Sequence, residues 1–282
     1  MINDTMIANG IGLVKTYLPN LFEYISEKDF EQYLRKSYNY SEENGGGTPY
    51  NNFLVTFFKL IEEHYTNSSF EIREEFGYFN FLLGKFKEFG NPKNFRSLIL
   101  STLNNFKSNN FKHVLGEIAA CVNISNKANF VKYETVFDNG KSIDFHFEME
   151  KQDFYIDVVS FDFNSKKYEK EKFKKFLDGR LLQKFEYKSK KLSDDLKKRI
   201  VIYPILYGFT IEIIKEQEEY LKSIHLARFD KIGFQSFEPK CFGNIQGTFF
   251  NLFSIDEIVN FEKYYKSNNK SQIGSLRAQY EQ

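Results

Sequence analysis

The sequence predicts an α/β fold, a mixed β-sheet flanked by helices and preceded by a helical N-terminal region. Three observations predict it. From residue 105 onward the apolar spacing switches in the order helix, three-strand meander, helix, strand, helix. The stretch Ser142–Ser160, SIDFHFEMEKQDFYIDVVS, alternates as a β-hairpin does. Arg199–Leu206, RIVIYPIL, is a continuous apolar run of strand length, the pattern of a strand buried on both faces.

Residues 1–104 carry the helical part. LVKTYLPNLFEYI, DFEQYLRKSY, NNFLVTFFKLIEEHY and FNFLLGKFKEF place apolar residues three and four apart. Glu43–Pro49, ENGGGTP, is a loop, and Gly90-Asn91-Pro92 ends a helix. The next helix is expected over Asn105–Cys121. Strands follow at Phe130–Phe137, Ser142–Met149 and Phe154–Phe161, the first two joined by a turn containing Asn139-Gly140. A basic helix is expected over Lys167–Lys191, a buried strand over Arg199–Leu206 and a helix over Thr210–Ser223. A last strand over Lys231–Phe237 and a last helix over Ile255–Tyr265 complete residues 105–266, and 267–282 is a polar, frayed tail.

With 282 residues, 41% hydrophobic and 27% charged, the chain has room for a substantial core. No run approaches the ~20 apolar residues of a membrane helix. Cys121 and Cys241 form no metal-ligand spacing, and the N-terminus lacks a signal-peptide pattern, so a reduced, cytoplasmic setting is expected.

The hairpin carries the chemistry. With its turn centred on Glu150-Lys151, opposed residues have numbers that sum to 301, so Asp144 faces Asp157. Directly opposed Cβ atoms lie only ~4.5–5.5 Å apart. On the other face Ile143 meets Val158 and Phe145 meets Ile156. Two opposed carboxylates repel unless a proton or a cation lies between them, and a divalent metal is the obvious candidate. His146 shares a face with Asp144 and is a candidate base or metal ligand. Lys166–Arg199 holds 14 Lys or Arg and 6 Asp or Glu, a local charge of +8 within a net charge of +1. Such a run is a solvated helix face or a surface for a polyanion.

Helix, meander, helix, strand is also the order of the PD-(D/E)XK nuclease superfamily, which the sequence resembles over about residues 105–206. Glu117 on the first helix, Asp144 on the second strand and Asp157 on the third fall at the places of that family's acids. Gln183-Lys184-Phe185-Glu186-Tyr187 fits the Q-x-x-x-Y motif of its RecB-like members. The resemblance implies a restriction-endonuclease-like core and Mg²⁺, with Mn²⁺ as substitute, held by Asp144, Asp157 and Glu117. It implies DNA as the partner, in restriction, repair or phage defence, and since nothing in the chain resembles a base-reading motif, no sequence preference is expected. Gln183 and Tyr187 would position the phosphate or orient the acids. Residues 1–104 then offer a surface for a homodimer or a partner in a defence complex.

One position departs from the family. The lysine expected two residues after the second acid is Val159, and valine cannot activate water. Lys184 on the following helix is the leading substitute, ahead of Lys172 and Lys174. A catalytically inactive nuclease-fold module that binds nucleic acid is the alternative. A third reading is an interaction protein whose basic helix meets an acidic partner.

Overall fold

The computed structural model describes residues 4–43, 71–104, 110–162, 168–207, 211–223, 231–236, 249–254 and 259–260. The segment NNFLVTFFKLIEEHY, most of Ile255–Tyr265, Cys241 and the tail lie outside these residues. The chain divides into two compact units, one running to Ile118 and one beginning at Ala119.

The first unit is helical: α1 (Asp4–Tyr17), α2 (Glu27–Glu43), α3 (Glu71–Phe89), α4 (Arg96–Asn104) and the first part of α5 (Asn110–Ser125). The expected helix through LVKTYLPNLFEYI is broken. Proline disfavours helical geometry at the residue before it. Leu18 accordingly takes φ −133°, and a 3₁₀ turn, Pro19–Glu23, follows. Val14, Leu18, Leu21, Phe30, Leu34, Phe79, Leu83 and Phe86 are buried, which explains the three- and four-residue spacing. Asn20 and Asn80 exchange two hydrogen bonds of 3.0 Å, from the Asn20 backbone N–H to Asn80 Oδ1 and from Asn20 Nδ2 to the Asn80 carbonyl.

The second unit is built on a six-stranded sheet in sequential order, β1 (Asn129–Val136), β2 (Ser142–Met149), β3 (Gln152–Asp162), β4 (Ile200–Tyr207), β5 (Lys231–Ser236) and β6 (Phe249–Ser254). The first three strands form an antiparallel meander, β3–β4 and β4–β5 are parallel, and β5–β6 is antiparallel. The sheet is mixed, as expected. Its sixth strand, from the apolar run FFNLF, had not been anticipated. A parallel neighbour needs a crossover, supplied between β3 and β4 by α6 (Lys170–Ser189) and the single turn α7 (Asp194–Lys197). Between β4 and β5 run α8 (Ile211–Glu216) and α9 (Glu218–Ser223). They were expected as one helix, but the chain turns at Gln217, whose N–H is shared between the Ile213 and Ile214 carbonyls.

The two sheet faces differ in chemistry. Val158 and Tyr203 are partners on one face, where Asn123 of α5 lies 3.4 Å from the Tyr203 hydroxyl. Asp157 and Ile202 are partners on the other, which α6 covers. Ile143 belongs to a cluster with Phe137, Leu192 and Ile200, against which Tyr155, Phe185 and Ile202 pack. Ile200 and Ile202 share the face of Tyr155 and Asp157, so Ile143 is drawn toward α6 rather than to the expected partner Val158.

Strand β1 is an edge with two irregularities, a register shift between Phe130 and Lys132 and a left-handed Glu134, φ 52°. The β2–β3 turn has Glu150 at φ 54° and Lys151 at φ 62°. Two consecutive left-handed residues make the tight turn that matches strand twist, a conformation Asn-Gly adopts with least strain. The pair of substitutions Glu150→Asn and Lys151→Gly is therefore expected to raise stability by about 1 kcal/mol, read from the urea unfolding midpoint.

Candidate active site

The hairpin register is as the sequence implies, since Phe145–Ile156, His146–Tyr155, Phe147–Phe154, Glu148–Asp153 and Met149–Gln152 each sum to 301. The regular pairs end at Phe145–Ile156, one step before the acids. Tyr155 N–H donates toward β4, to the Arg199 carbonyl at 2.9 Å, so by alternation Val158 N–H faces β2. There the Asp144 carboxylate accepts it at 2.7 Å, in place of a strand carbonyl. The expected face-to-face pair thus becomes a side chain grafted into the ladder, with Asp157 one residue away.

Asp157 has 0% exposure. Neither of its oxygens receives a hydrogen bond of regular geometry among the described residues. Two ammonium groups from α6 stand against them instead: Lys184 Nζ at 3.0 Å from Oδ2 and Lys188 Nζ at 2.5 Å from Oδ1. Lys188 also donates to the Ser142 carbonyl at 2.5 Å and is itself buried.

The helix explains why these two residues point inward. Phe173 and Leu177 are buried and Leu181 is half-buried, and three- and four-residue spacing carries that stripe on to Lys184 and Lys188. Gln183 and Tyr187 are one residue off the stripe and exposed. Tyr187 Oη accepts a hydrogen bond from Lys141 Nζ at 2.7 Å. The Q-x-x-x-Y spacing is present, but K-x-x-x-K faces the acids. Lys188 was not singled out from the sequence, although the inward stripe identifies it.

His146, Lys172 and Lys174 have other partners. His146 Nε2 is 2.8 Å from Asp153 Oδ1, and its ring stacks on Tyr155 at 4.8 Å, so it serves the turn end of the hairpin. Lys172 pairs with Glu169 at 2.7 Å, and Lys174 lies over the Tyr220 ring. Glu117 is half-buried on α5, in the first unit. Among the described residues no group of three or more His, Cys, Asp or Glu is placed to hold a metal.

Burial, and then the charge of Asp157, push the Asp144 carboxyl from its ordinary 3.8 up to about 7, against the Val158 N–H and the two lysines, which pull it down. A proton therefore competes with any cation for Asp144 near neutral pH. The Asn139 side chain fixes the helix end by donating to the Lys188 and Lys190 carbonyls at 3.0 and 2.8 Å.

No family model, no curated protein and no solved structure matches this chain. The chemistry of the site therefore rests on its own geometry.

Two outcomes follow from these charges. Removing one partner of a buried ion pair costs roughly 3 kcal/mol, so Lys188→Met should lower stability by about that much. Adding Asp157→Asn to that variant should restore most of the loss. The folded protein holds the Asp144 proton up to pH of about 7, whereas the unfolded chain releases it near 3.8. Stability from this group is complete below the lower value and is lost as pH rises through the upper one. Asp144→Asn should remove that slope from a plot of urea midpoint against pH.

Proposed function

We propose that this chain is a metal-dependent nuclease that hydrolyses DNA phosphodiester bonds on a restriction-endonuclease-like core. The observation that carries the reading is Lys184 Nζ, 3.0 Å from the buried carboxylate of Asp157, the residue next to the Val158 N–H that Asp144 binds. It supplies the amine that Val159 cannot.

The two acids fit Mg²⁺, with Mn²⁺ as substitute. Mg²⁺ takes one or two carboxylates and leaves its other positions to water and substrate phosphate. Buried carboxylate oxygens without regular hydrogen bonds and a carboxyl disfavoured as an anion are both relieved by a divalent cation. A bound ion would supply an activated water and positive charge against the scissile phosphate.

The remaining work falls to side chains of this chain. Asp144 gives up its proton as the site loads, so loading weakens below pH of about 7. Lys188, buried and tied to the Ser142 carbonyl, holds Asp157 in place. Lys184, with a side chain 35% exposed, is the amine that reaches solvent and donates to a phosphate oxygen in the transition state. The exposed basic residues of α6, Lys170, Lys172, Lys174, Lys175 and Arg180, hold the backbone through counterion release. Residues 1–104 remain the proposed contact for a second copy or a partner in restriction, repair or phage defence.

Val159, together with the engagement of both Asp157 oxygens by lysines, favours a second reading: an inactive module that binds nucleic acid. The two readings separate on metal. A working site gains thermal stability on titration with Mg²⁺ or Mn²⁺ by mass action, and a dead one does not.

The nuclease reading is checked by nicking of supercoiled DNA in Mg²⁺ or Mn²⁺. Asp144→Ala and Asp157→Ala should abolish nicking, and Lys184→Ala should lower kcat about 100-fold with little change in KM. Cleavage that persists in both aspartate variants would overturn it.

A further inference from the structure

We infer that Lys141, a residue outside the motif, forms with the motif's Tyr187 a phosphate-anchoring site for a polynucleotide backbone. The inference rests on the nucleic-acid side of the reading above and adds a residue that the family resemblance does not assign.

Lys141 ends the β1–β2 turn, immediately before Ser142, whose carbonyl holds Lys188. Its ammonium lies 2.7 Å from Tyr187 Oη and 3.9 Å from the centre of the ring. Tyr187 is 56% exposed and sits three residues after Lys184, so the two are neighbours on the helix surface. Several surface lysines of this chain rest on carboxylates, Lys85 on Glu88, Lys172 on Glu169, Lys197 on Asp194 and Lys222 on Glu218, whereas Lys174, like Lys141, lies over a tyrosine ring. No carboxylate pairs with Lys141 among the described residues, and a neutral phenol holds it instead.

The hydrogen bonding sets what this pair can bind. An ammonium has three donors, and Lys141 commits one to the phenol oxygen, leaving two. Because Tyr187 Oη accepts that bond, its own proton points away from Lys141. The pair therefore presents an ammonium and a hydroxyl donor together, with no acid in between. The Lys141 ammonium, and more weakly Lys188 and Lys184, hold the Tyr187 phenol below its ordinary pKa, so the positive charge of all three reaches this point. A monoanionic phosphodiester, with two free oxygens, matches these donors. The turn is also tied to the helix by Asn139, which donates to the Lys188 and Lys190 carbonyls, so Lys141 and Tyr187 are held on a fixed frame.

The test uses the full chain in EDTA, so that cleavage plays no part. Binding of a fluorescein-labelled 20-mer, single-stranded and duplex, is followed by anisotropy between 50 and 200 mM NaCl, settings of roughly the range in which phosphate contacts are read. Lys141→Gln should weaken binding about 5-fold and reduce the salt slope by about one ion. Tyr187→Phe should weaken binding about 3-fold and leave the slope unchanged. Lys222→Ala, an equal loss of charge elsewhere, should change neither. The inference is overturned if Lys141→Gln matches Lys222→Ala, if inorganic phosphate at millimolar level competes as well as the oligonucleotide does, or if the wild-type chain binds no oligonucleotide. Weakened binding in Lys141→Gln without metal-dependent nicking by the wild type supports this site and rejects the nuclease reading. Nicking by the wild type with unaltered binding in Lys141→Gln does the reverse.

Discussion

A carboxylate with no exposed surface, Asp157, lies in the middle of the sheet, and an unpaired charge there costs several kcal/mol. That cost constrains its surroundings. The helix after β3 must cross the sheet so that two lysines, a turn apart, meet the carboxylate. The β1–β2 turn must sit at the end of that helix, because Asn139 satisfies its last carbonyls and the Ser142 carbonyl accepts a hydrogen bond from Lys188. A buried ion pair contributes little net stability beside a well-packed apolar substitute.

Much of the fold was legible because its signals are local. Alternation over Ser142–Met149 gave that strand residue for residue, and the turn at Glu150-Lys151 fixed the register. Where a local rule competed with periodicity, as at Pro19 and at Gln217, the predicted helix was too long. Strand β6 was passed over because a short apolar run, FFNLF, carries no periodicity that separates strand from helix.

The site was legible in part. Asp144 and Asp157 came from the hairpin, but parity alone placed them face to face, while the ladder ends before them and Asp144 bonds the Val158 N–H instead. Sequence spacing cannot show where a ladder yields to a side chain. Lys184, which meets Asp157, lies within a motif whose named residues, Gln183 and Tyr187, turn outward. The rotation of the helix decides between Q-x-x-x-Y and K-x-x-x-K, and the buried Phe173 and Leu177 set that rotation. Following the apolar stripe forward would have reached Lys188. The pairing of His146 with Asp153 depended on a cross-strand neighbour one step along the diagonal, which matched pairs alone do not reveal.

The irregular edge of the sheet bears on how this molecule meets others of its kind. An exposed strand with a regular backbone is a template on which a second chain can add its own. Strand β1 is interrupted twice, by the shift beside Val131 and by the left-handed Glu134, so its outward N–H and C=O groups do not form an even row. Exposed Val131 and Val136 consequently sit on an edge that resists amyloid-like stacking despite their apolar surface. A second copy joined edge to edge at β1 is therefore disfavoured.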